Sequence, residues 1–90
     1  MFRIWGKIFQ NNHLLKDMVY ENGNPELNRT KKVFAGVHEF CMAFDLQEPI
    51  WLDKNIKEFK RVDKTRFYQD NFIESIEFDY LEIHVIEEDQ

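Results

Sequence analysis

Residues 55–72, NIKEFKRVDKTRFYQDNF, interleave Lys57, Lys60, Arg61, Lys64 and Arg66 with Phe59, Phe67, Tyr68 and Phe72. Cations for phosphates and rings for bases are the side chains a nucleic-acid surface uses. Such a surface needs its rings free to stack, however, and Phe67, Phe72, Ile73 and Ile76 read as groups that a connector of this length must bury to stay ordered. Residues 53–66 carry six basic side chains against three acidic ones, a modest excess. The five cations therefore stand as a secondary, anion-binding candidate, and nucleic acid is the weaker expectation for a partner.

Metal and catalytic chemistry find less support in the spacing. His13, His38 and His84 form neither an i, i+4 pair nor an HExxH pattern, and Glu39 beside His38 points to another side of a helix. Cys41 is the only cysteine, so neither an intrachain disulfide nor a cysteine-based zinc cage forms. It falls on the apolar stripe of a long helix, where a thiol behaves as a small hydrophobe. Ser75 is the sole serine and has no motif around it, and three glycines make no phosphate-cradling loop. Glu77 and Asp79, and Glu87 to Asp89, read as strand edge and tail. The expectation is a protein with no catalytic residue, no cofactor and no metal.

The elements follow from periodicity. Phe2 to Phe9 alternates, with Phe2, Ile4 and Ile8 on one side and Arg3, Trp5, Lys7 and Phe9 on the other. Gly6 falls on the apolar side, where a missing side chain admits a close neighbour. Asn11 and Asn12 suit a hairpin turn, His13 to Tyr20 returns as a strand, and residues 21–25 turn again. Asn24-Pro25 predicts a helix start. Leu27, Phe34, Val37, Cys41 and Phe44, widened by Val33 and Phe40, predict a core-facing stripe that ends before Pro49. Pro49 to Leu52 reads as a short third strand. Asp53 is expected to cap a short helix through about Arg61, with Ile56 and Phe59 on one side. Residues 62–76 are ambiguous, and Phe78 to Glu88 is the clearest strand in the chain.

These elements predict one α+β domain over residues 1–90, with a mixed sheet of three to four strands packed on one long helix. Their order favours the β-grasp (ubiquitin-like) arrangement, with a ferredoxin-like or other one-helix α+β sheet as the alternative. If Phe2, Ile4, Leu81, Ile83 and Val85 face the helix, the other sheet face displays Arg3, Trp5, Lys7, Phe9, Phe78, Tyr80, Glu82, His84 and Ile86. Aromatic groups edged by charge are the composition of a protein interface, and a patch of that size calls for a cover. The cover is a protein partner, a second copy in a homodimer, or residues 53–76 folded back. His84 and Glu82 inside such a contact would make it sensitive to pH near neutrality.

Ninety residues with 43% hydrophobic and 16% aromatic composition suffice for one packed core. The net charge of −5 is uneven: residues 1–52 are balanced, 53–66 carry +3, and 67–90 carry −8 with no Lys or Arg. The basic connector and the acidic last segment are expected to lie together and partly neutralise each other. No apolar run approaches the roughly 20 residues that span a bilayer, and the start has no signal-peptide core, so a cytoplasmic, membrane-free protein is expected.

The opening MFRIWGK, the stretch PIWLDKNIKEFKRVDKTRFYQDNFI and the ending FDYLEIHVIEED together resemble a group of short, uncharacterised single-domain proteins of anaerobic gut Firmicutes. The resemblance spans nearly the whole chain and implies a free-standing bacterial protein. It brings no activity, ligand or site residue with it. The functional expectation is thus a small non-catalytic interaction module or homodimer using its outer sheet face.

Overall fold

The computed structural model describes residues 1–89. Its first element is a hairpin of β1 (Phe2–Gln10) and β2 (His13–Asn22), closed by Asn11 and Asn12, whose φ angles of 51° and 64° are the left-handed values a tight hairpin turn requires. The strand β4 (Tyr80–Glu87) pairs with the other edge of β1, and β3 (Lys64–Phe67) pairs with β4. The sheet order is β2-β1-β4-β3 and every pairing is antiparallel. Bulges interrupt the register between Ile8 and Phe9 on the β2 side and between Arg3 and Ile4 on the β4 side.

The helix α1 (Arg29–Phe44) starts later than Asn24-Pro25 suggests, because Asn28 is the cap: its Oδ1 accepts from Lys31 N at 2.9 Å. Asn24 instead closes a turn by accepting from Glu26 N at 3.0 Å. Val33, Val37, Phe40 and Cys41 enter the core as expected, against Phe2, Ile4, Ile8, Leu81, Ile83 and Val85. Phe34 does not; it is half exposed at the helix edge, with its ring against Trp51. Gly6 makes the close approach its position implies, since an added Cβ would lie 2.5 Å from the Phe40 ring.

A second helix, α2 (Asp53–Val62), lies on the same sheet face as α1. Its Asn55 is buried, and its amide nitrogen donates to Thr65 Oγ1 and to Arg66 O, each at 2.9 Å. Asn55 Oδ1 accepts from Leu52 N at 3.1 Å and from Asn71 Nδ2 at 2.7 Å. Asn71 also holds Ile50 through both backbone groups. Asn55, not Asp53, thus closes the helix start.

This network accounts for several departures from expectation. Pro49 to Leu52 is extended but joins no sheet, because its backbone is bonded to Asn71; the third strand comes from the connector instead. The sheet is antiparallel rather than mixed, with β1 and the last strand running antiparallel, and the short helix expected from Asp53 packs on it beside α1; the β-grasp order is not confirmed. Residues 62–76 resolve into β3, a short 3-10 turn (Gln69–Asn71) and a loop. Phe67 and Phe72 are buried as expected, whereas Ile73 is exposed.

The acidic last segment is partly neutralised within the chain, mostly by β1 and α1. Glu87 meets Arg3 at 3.0 Å and the N-terminal ammonium at 3.2 Å; Glu88 meets Arg29 at 3.1 Å; Asp89 meets Lys32 at 2.5 Å. The connector adds Arg66 to Glu82 and Lys54 to Asp70. Lys32 is fully buried, so Asp89 is the acceptor that makes its charge tolerable there.

Candidate interaction surface

Both helices occupy one sheet face: α1 packs on Ile4 and Gly6, and α2 bonds the inward Thr65. By strand alternation the opposite face carries Arg3, Trp5, Lys7 and Phe9 of β1 and Tyr80, Glu82 and His84 of β4. The helix α2 packs on the helix side, and residues 53–76 reach this face only along the β3 edge, through Lys64, Arg66 and Tyr68.

The antiparallel register arranges the face in rows across the strands. One row reads Asp17, Lys7, Glu82, Arg66 from β2 to β3, alternating negative and positive. Lys7 Nζ lies 2.8 Å from Glu82 Oε2 and Arg66 Nε lies 3.0 Å from Glu82 Oε1. The two inner members are withdrawn from water, with side-chain exposure of 12% for Lys7 and 6% for Glu82, while Arg66 at the end keeps 47%. Burial works against the charge of Glu82, but hydrogen bonds from Lys7 and Arg66 outweigh it and hold the carboxyl below its ordinary range.

Rings flank this row on both sides. Val19, Trp5, His84 and Lys64 form one neighbouring row, and Leu14, Phe9 and Tyr80 the other. The Lys7 ammonium sits 3.9 Å from the Trp5 ring, and the Trp5 indole N–H donates to Asp17 Oδ2 at 2.8 Å. Tyr80 stacks on Phe9 at 5.2 Å, meets Tyr68 at 5.3 Å, and is covered by the Arg66 guanidinium at 4.6 Å. Trp5, Phe9 and Tyr80 are partly buried by these neighbours, and Tyr68 at the edge is exposed. His84 is pushed below its ordinary pKa by burial and by Lys64 and Lys7, which favours its neutral form.

Of the nine expected interface residues, Arg3, Trp5, Lys7, Phe9, Tyr80, Glu82 and His84 share this face. Ile86 is exposed at the β4 bulge. Phe78 is not on the face: it precedes β4, where Asp79 N bonds Phe9 O at 2.9 Å, and its ring packs edge-on to Phe72 at the core. Sequence reasoning missed Asp17, Val19, Lys64, Arg66 and Tyr68. The alternation of β2 carries the first two, once the hairpin register is known; Lys64 and Arg66 were legible only as part of a basic run.

The five candidate anion-binding cations diverge. Lys64 and Arg66 line a hollow of about 360 Å³ with Lys54, Asn55, Glu58 and Tyr68. Lys60 lies on the opposite flank of α2, beside a groove of about 280 Å³ walled by Phe34, Trp51 and Ile56. Lys57 and Arg61 line neither, and Arg66 is engaged by Glu82. Cys41 is buried, and burial with the nearby Glu48 pushes its thiol up to about 12. Among the described residues no group of three His, Cys, Asp or Glu side chains is placed to hold a metal ion. No helix there is long and apolar enough to cross a membrane. Compared with known proteins, the chain matches no family model, no curated protein and no solved structure.

Proposed function

We propose that this chain is a small, non-catalytic protein-interaction module of the cytoplasm that docks through the helix-free face of its sheet. One observation carries the reading: Trp5, Phe9 and Tyr80 stand partly buried around the Lys7–Glu82–Arg66 row, whose inner charges are already desolvated. Docking a partner there costs little further desolvation of charge and little side-chain entropy, because the rings are immobilised before contact. Trp5 and Tyr80 are the anchors, and Arg3 and the charged row set orientation.

The secondary reading is anion binding through Lys57, Lys60, Arg61, Lys64 and Arg66. Its support is the hollow beside Lys54, Lys64 and Arg66, and Glu58 and Glu82 at that place weaken it. Sedimentation of wild type and Trp5→Ala separates the readings when combined with a polyanion column. Association with rising concentration that is lost in Trp5→Ala with its circular dichroism unchanged, together with early elution from the column, would support the interaction module. Retention that declines steeply with salt, with no association, would favour the anion reading.

A further inference from the structure

The charged row says what kind of partner fits, provided the face is a docking surface as proposed above. Asp17, Lys7, Glu82 and Arg66 occupy one level of four successive strands, β2, β1, β4 and β3, with signs −, +, −, +. Such a row is antisymmetric about its midpoint, which lies between Lys7 and Glu82. A two-fold axis parallel to the strands through that midpoint brings the mirror-ordered row of a second copy against it. Asp17 then faces the partner's Arg66, Lys7 faces the partner's Glu82, and each contact is repeated in the other sense. The alternative axis, running along the row, sets every charge against its own kind. Only one face-to-face orientation is therefore electrostatically matched.

The same operation keeps each level along the strands, so the flanking rows meet themselves. Phe9 comes against the partner's Tyr80 and Trp5 against the partner's His84, ring on ring on both sides of the charges. The inner charges Lys7 and Glu82 are nearly out of water already. The end charges Asp17 and Arg66 remain exposed, and at the rim of an interface they select orientation and partner more than they add affinity. We infer that the partner is a second copy of this chain, docked face to face about a two-fold axis parallel to the strands between β1 and β4.

Complementary charge variants test this. Asp17→Lys sets a cation against the partner's Arg66, and Arg66→Glu sets an anion against the partner's Asp17, so each variant alone should be monomeric at concentrations where wild type is dimeric. Mixed one to one, they restore both attractive contacts, and sedimentation should show a heterodimer. Because Arg66→Glu also crowds Glu82, Asp17→Asn serves as a second variant. It keeps an acceptor for the Trp5 indole and should weaken the homodimer by roughly two- to thirtyfold, the size of two exposed ion pairs, because the two-fold axis repeats the contact.

Wild type that stays monomeric at millimolar concentration overturns the second copy while leaving docking of another protein open. Folded variants that do not complement, beside a wild-type dimer abolished by Trp5→Ala, overturn the orientation. A dimer indifferent to Trp5→Ala removes the face itself.

Discussion

Glu82→Gln tests how the interaction face is held. The Glu82 carboxylate accepts from Lys7 at 2.8 Å and Arg66 at 3.0 Å with its side chain 6% exposed. Taking its charge away strands the Lys7 ammonium, itself only 12% exposed, with the Trp5 ring and the neighbouring Asp17 as remaining compensation. Breaking a buried ion pair by removing one member costs about 3–5 kcal/mol. Because the amide still accepts one hydrogen bond and Arg66 can turn to water, about 2–3 kcal/mol is expected here. For a domain of this size that lowers Tm by roughly 10–20 °C.

The sign of the pH dependence is fixed as well. The folded carboxyl titrates below its ordinary 4.5, so Glu82 contributes stability above pH 4.5 that is lost as pH falls through the folded value; Glu82→Gln should flatten that acid limb. Urea unfolding at pH 7 and from pH 6 to 3, followed by near-ultraviolet circular dichroism, reads both effects. Replacing the pair together, Lys7→Met with Glu82→Leu, should return stability to within about 1–2 kcal/mol of wild type, because no charge is left unpaired. A loss below about 0.5 kcal/mol for Glu82→Gln, typical of an exposed pair, would mean the row is solvated and does not brace the rings.

Three further outcomes are expected. Gly6→Ala drives a methyl group to within 2.5 Å of the Phe40 ring and should cost about 1–3 kcal/mol or more in urea unfolding, part of which returns when Phe40→Leu is added. Cys41, with its thiol pushed up to about 12, should resist iodoacetamide at pH 8 in the folded protein and react only as the chain unfolds in urea. His84 titrates below its ordinary 6.5 when folded, so it contributes stability above pH 6.5 that declines as pH falls toward the folded value. His84→Gln should remove that part of the slope in thermal scans between pH 7.5 and 5.

The parts of the fold legible in the sequence are those in which side-chain period and burial agree. Phe2, Ile4 and Ile8 and, across from them, Leu81, Ile83 and Val85 alternate cleanly, and the two asparagines mark the hairpin between them and β2. That was enough to assemble seven of the interface residues. Where one strong side-chain contact replaces periodicity, the pattern is silent. Pro49 to Leu52 looks like a strand by composition, yet two asparagines hold it away from the sheet. Lys64 to Phe67 is too short to show alternation and sits inside a basic run, so its pairing with β4 is visible only through the partner strand. Phe78 shares the parity of Tyr80, but the chain leaves strand geometry before reaching it. Lys32 looks like a solvated helix lysine, because its acceptor, Asp89, is distant in sequence and arrives only through the fold.

The two tryptophans separate the surfaces at issue. Trp5 stands on the helix-free face, and Trp51 lies on the helix side among Phe34, Phe59 and Phe67. A dilution series of nitrogen-15-labelled protein, read at the two indole N–H resonances, asks which surface is covered. Docking of a second copy through the outer face requires the Trp5 resonance to move with concentration while that of Trp51 stays fixed. A stationary Trp5 resonance beside a moving Trp51, or beside shifts confined to α2, would contradict it.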